Sequence, residues 1–92
     1  MNLDLHKERA ELLEQLLPLS TEARHDRVYI ATIETGGSWI GPHSSRKWPS
    51  THQVEIDLLG VLAIGEDDAQ AIHNWMTIVQ RQVATSEQEL AS

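Results

Sequence analysis

Five histidines stand in this chain, His6, His25, His43, His52 and His73, and no cysteine accompanies them. Histidine and carboxylate together suggest a metal site, with His43 and His52 at the two ends of one loop and His25 or Asp26 as a third ligand. Zinc sites hold their ligands at short, regular spacings, i and i+4 on a helix or across a tight turn. No pair here has that spacing, so we expect no metal and no cofactor. Nucleophilic catalysis would need a hydroxyl held by a base and an oxyanion site. His43, Ser44 and Ser45 are adjacent only within a polar loop, without the strand–turn–helix elbow that exposes such a serine. We therefore expect no catalytic residue and no enzyme. Glu66-Asp67-Asp68 could be drawn as a Mg²⁺ site. Three acids directly before an apolar-periodic segment are equally what the positive end of a helix dipole favours.

Two features remain that could do chemistry by contact. One is the segment 39–49, with Trp39 and Trp48 near its ends and the only adjacent basic pair, Arg46-Lys47; it could clamp a carboxylate-bearing partner or stack a nucleic-acid base. The other is charge. The net charge is −7. Residues 1–49 hold six bases against seven acids, whereas residues 50–92 hold Arg81 alone against seven acids, Glu55, Asp57, Glu66, Asp67, Asp68, Glu87 and Glu89. Binding to nucleic-acid phosphates needs clustered cations. An acidic half suits a basic protein surface instead.

The elements that must position these residues follow from length and periodicity. Ninety-two residues, 40% apolar, make one small domain. We take 1–84 as that domain and 85–92 as an acidic tail that loses the apolar pattern and frays. No apolar run is long enough to cross a membrane. Met1-Asn2-Leu3-Asp4 lacks a basic segment leading into an apolar run, so the expected setting is cytoplasmic, that of a bacterial host if a phage encodes the chain.

Leu5, Leu12, Leu13, Leu16 and Leu17 form one stripe of a helix that Pro18 ends. Residues 19–26 read as a loop, with at most one helical turn begun by Ser20. Residues 27–35, RVYIATIET, are rich in β-branched residues and read as a strand, with Val28, Ile30 and Thr32 on one face and Tyr29, Ala31 and Ile33 on the other. Gly36-Gly37 then predicts a two-residue hairpin into Ser38-Trp39-Ile40. A strand over 51–57 has one wet face, Gln53, Glu55 and Asp57, and 61–64 is a further strand or its continuation through a bulge. Ala69, Ile72, Trp75, Met76, Val79 and Val83 lie on one stripe of a second helix. The sum is an α+β, two-layer fold: N-terminal helix, antiparallel sheet of three to four strands, C-terminal helix. The sheet face left uncovered invites a partner, a second copy included.

Three resemblances bear on function. The order helix, strands, helix, with Gly41-Pro42-His43 before a strand and Gly60 and Gly65 ahead of Ala69 and Ala71, resembles the double-stranded RNA-binding domain. That family docks RNA with bases at the start of its last helix, where this chain has Glu66, Asp67 and Asp68. Asp57-Leu58-Leu59-Gly60, then Gly65 and Ala71-Ile72, resembles a segment of HicB-type antitoxins, over about twenty residues. Either likeness implies a nucleic-acid contact through Arg24, Arg27, Arg46 and Lys47. A small, cysteine-free, acidic α+β chain is also similar, as a class, to phage-encoded anti-CRISPR inhibitors. That likeness implies a protein that covers basic surfaces of Cas subunits in a type I surveillance complex and blocks target DNA. In that role Glu55, Asp57, Glu66, Asp67 and Asp68 engage Lys and Arg, while Trp39, Arg46, Lys47 and Trp48 anchor the loop, with guide RNA as a further contact.

Overall fold

The computed structural model describes residues 2–41 and 53–91, with side chains over 5–41 and 53–85. The element order is α1 (Asn2–Leu16), α2 (Thr21–Thr35), β1 (Ser38–Ile40), β2 (Val54–Leu58), β3 (Val61–Gly65) and α3 (Asp68–Ala91). The class is α+β, and the described strands form one antiparallel sheet in the order β1-β2-β3. The helices lie over one face of it: α3 packs on β3 and β2, α2 on β1 and β2, and α1 against α3.

The largest departure from expectation is α2. Residues 21–35 form one helix where a loop and a strand were expected. Ser20 caps it, its hydroxyl accepting from the Ala23 N–H at 3.2 Å. The buried residues Val28, Ala31 and Thr32 follow a helical period, and Tyr29, Ile30 and Ile33 face solvent. Thr32 and Thr35 donate their hydroxyls to the carbonyls of Val28 and Ala31, both at 2.8 Å, so polar atoms that would otherwise resist burial are satisfied within the helix. The β-type composition is thus overridden by caps at both ends and by packing on the sheet.

Gly36-Gly37 is accordingly the end of that helix and not a hairpin turn. Gly36 is left-handed, φ 74°, and the Gly37 N–H reaches back to the Thr32 carbonyl at 2.9 Å, the arrangement in which a helix turns its last carbonyls onto the following chain. Gly37 is needed for space. A Cβ there would sit 2.3 Å from the Asp57 carbonyl oxygen on β2.

β2 and β3 are separate strands joined by the two-residue turn Leu59-Gly60, both at positive φ, 53° and 77°. That is the turn whose twist matches a hairpin. The Arg9 guanidinium of α1 donates to the Leu59 carbonyl at 2.7 Å, and the buried Trp75 indole of α3 donates to the Leu58 carbonyl at 3.0 Å. The turn is thereby held from two helices at once.

The core gathers Leu12, Leu13 and Leu16 of α1, the inner residues of α2, Val54, Ile56 and Leu58 of β2, Val61 and Ala63 of β3, and the α3 stripe Ala71, Ile72, Trp75, Met76 and Val79. Ala69, expected in that stripe, is exposed, and so is Leu17. α3 can lie close to β3 because Gly65 has no side chain; a Cβ there would come within 2.4 Å of the Ala71 nitrogen. The helical backbone of α3 runs to Ala91. No described helix is long and apolar enough to cross a membrane.

Candidate functional site

The outward face of the sheet is the surface that strand alternation builds most directly. On β2, Val54, Ile56 and Leu58 turn inward, which sends Glu55 and Asp57 outward. On β3, Val61, Ala63 and Gly65 are buried and Leu62 and Ile64 face out; on β1, Ser38 and Ile40 face out and Trp39 turns toward the helices. The register then sets two rows across the sheet, Ile40–Glu55–Ile64 and Ser38–Asp57–Leu62. Two carboxylates on the central strand are flanked by Ile40, Ile64 and Leu62, which are 40%, 43% and 53% exposed.

The strand expected over 27–35 would have set either Tyr29 and Ala31 or Val28 and Ile30 on this uncovered sheet face; all four lie on α2 instead. The apolar flanks from β1 and β3 take their place. Their signal was present in Val61-Leu62-Ala63-Ile64, where apolar residues occupy both faces of an edge strand.

Asp57 also borders a groove of about 500 Å³ beside the C-terminal end of α2, where Glu8 of α1 and Glu34 of α2 add their carboxylates. The negative end of the α2 dipole has the same sign as these groups. The Arg9 guanidinium stands at the Leu59-Gly60 edge of the same groove, and Arg27 lies 3.9 Å from Glu34, so the groove is of mixed charge.

The acids at the start of α3 divide by role. Asp67 is the helix cap: its carboxylate accepts the Gln70 N–H at 2.8 Å, its carbonyl accepts the Ala71 N–H at 3.0 Å, and the Gln70 side chain reaches back to the Glu66 N–H. Asp68 turns inward. Its Oδ2 lies 3.1 Å from His25 Nε2, its Oδ1 is buried with no hydrogen-bond partner among the described residues, and its side chain is 19% exposed. Glu66 is exposed. Of the five acids expected to meet a basic partner, Glu55 and Asp57 share one face, Glu66 and Asp67 stand at the α3 start, and Asp68 is drawn inside.

Trp39 is occupied as well. Its ring packs against His25 at 5.0 Å and against the edge of Tyr29 at 5.9 Å, joining β1 to α2. His25 thus sits between Trp39 and Asp68, with Asp26 at 3.7 Å from its other nitrogen. Among the described residues no three metal-binding side chains come together.

Two of the bases expected to meet nucleic acid are engaged within the molecule. Arg24 donates to the carbonyls of Leu16 and Leu17 at 2.9 Å, closing the end of α1, and Arg27 donates to Gln15 and lies 3.9 Å from Glu34. Arg46, Lys47 and Trp48, with His43, Ser44, Ser45 and His52, lie outside the described residues.

No family model, curated protein or solved structure matches this chain.

Proposed function

We propose that this chain is a non-enzymatic binding module that holds a basic protein surface against the acidic, apolar-flanked open face of its sheet. In its most concrete form it is an inhibitor of the anti-CRISPR type, covering basic surfaces of Cas subunits so that target DNA is kept from them. The observation that carries the reading is the placement of Glu55 and Asp57 together on β2, between Ile40, Leu62 and Ile64. An interface of that make-up joins an apolar area that gains from leaving water to charges that choose the partner's sign. Asp68 and Trp39 make their contacts within the fold.

The alternative, nucleic-acid binding, draws no support from Arg24 and Arg27, whose guanidinium groups are engaged by the Leu16 and Leu17 carbonyls, Gln15 and Glu34. Nor do Glu66 and Asp67 at the head of the last helix suit a phosphate backbone.

The test is an affinity capture of the tagged chain from a bacterial lysate, with and without nuclease, read by mass spectrometry. A defined protein complex retained after nuclease treatment is expected. Recovery that disappears with the nucleic acid would overturn the reading.

A further inference from the structure

Resting on the reading of the chain as a partner-binding module, we infer that the open sheet face receives an amphipathic helix of the partner, laid along β2, with a row of Lys or Arg flanked by apolar residues. Three features lead there. The first is spacing. Residues two apart on a strand are separated by about 6.8 Å, which sets Glu55 and Asp57 that far apart. Residues four apart on a helix rise by about 6 Å, so basic side chains at i and i+4 meet both carboxylates in turn.

The second is width. Neighbouring strands are about 4.8 Å apart, so Ile40 and Ile64 stand about 10 Å from one another across Glu55, the breadth of one helix with its side chains. A helix centred on β2 would set its apolar flanks on both. Among the described residues the helices lie on one face of the sheet, and this helix would supply a third layer on the other. An extended segment has no such fit, since strands join sheets at edges and not on faces.

The third is charge, which separates this occupant from a second copy of the chain. Two copies meeting face to face about a two-fold axis through β2 would set Glu55 and Asp57 of each against those of the other. Four carboxylates would then share the centre of a desolvated interface without a cation. A basic helix meets the same face with complementary charge.

The probe is a synthetic helical peptide of about 20 residues, with Lys at every fourth position flanked by Leu, titrated into the isotope-labelled chain of residues 1–92 and followed by NMR. Shift changes are expected to centre on Ile40, Glu55, Asp57, Leu62 and Ile64. Glu55→Gln with Asp57→Asn, close in shape to the original residues, should weaken binding by about fivefold, and Glu55→Lys with Asp57→Lys by more than about tenfold. The control Glu14→Lys with Glu22→Lys alters net charge equally, away from the face, and should bind as the parent does. Equal weakening by the control, or shift changes centred on Tyr29, Ile30 and Ile33 or on Glu8 and Glu34, would overturn the inference. A peptide that leaves this face unshifted, while Glu55→Lys with Asp57→Lys abolishes nuclease-resistant capture from lysate, would overturn it and keep the reading of the face as the binding surface; capture that this variant leaves unchanged would overturn both. Loss of nuclease-resistant capture by the parent chain would remove that reading itself.

Discussion

Gly36 and Gly37 are adjacent yet required for different reasons, and four substitutions separate them. At Gly36 an added Cβ would meet nothing within 4 Å, and the difficulty is φ 74° alone. Alanine there should cost about 1 kcal/mol, and asparagine, which tolerates the left-handed region, less than that. At Gly37 the backbone is not left-handed, but the added Cβ would lie 2.3 Å from the Asp57 carbonyl oxygen and 3.4 Å from the Thr32 methyl. Since the closest atom is backbone, β1 or β2 must shift, at a cost of about 1–3 kcal/mol. For a domain of this size that is a fall in Tm of about 4–24 °C. Asparagine gives no relief at Gly37 because the obstacle is space. Urea unfolding followed by circular dichroism, compared at constant m-value, should rank the variants Gly36→Asn, Gly36→Ala, then Gly37→Ala and Gly37→Asn together as the least stable. A Gly37→Asn variant as stable as Gly36→Asn would refute the helix-end account and favour a hairpin turn.

Gly65→Ala should destabilise by a further instance of the same effect, about 2 kcal/mol or more, because the Ala71 nitrogen and Cα leave no room for a methyl group; thermal unfolding checks it. Thr32→Val should change stability by less than about 1 kcal/mol, since the hydroxyl serves only the Val28 carbonyl of its own helix, and the same melt reads it. Arg9→Met should cost about 1 kcal/mol by releasing the Leu59 carbonyl, and hydrogen exchange should quicken at Gly60 and Val61 before it does elsewhere.

The sequence was legible where pattern and packing agree. The stripes of α1 and α3 and the alternation of β2 each report a single buried face, and all three elements stand where periodicity put them. The pattern misled at 27–35, where Val28, Tyr29, Ile30, Thr32 and Ile33 have strand preferences and the alternation of either face looked plausible. What decides that segment is the pair of ends, Ser20 capping its first turn and Gly36 closing its last, with the fifteen residues of the helix between them. Read together they would have revealed it. Glu55 and Asp57 were legible as the wet side of a strand, whereas their flanks Ile40 and Ile64 come from strands paired to β2, a relation that only the register supplies. The inward turn of Asp68 is likewise a long-range fact, since its partner His25 lies 43 residues away on a segment that did not read as a helix.

The account stands most directly on one comparison: nuclease-treated capture from a bacterial lysate by the parent chain, by Glu55→Lys with Asp57→Lys, and by Glu14→Lys with Glu22→Lys, quantified by mass spectrometry beside circular dichroism spectra of all three. The account predicts one protein complex retained by the parent and the control and lost by the Glu55, Asp57 variant at equal fold. Equal retention by all three would contradict it.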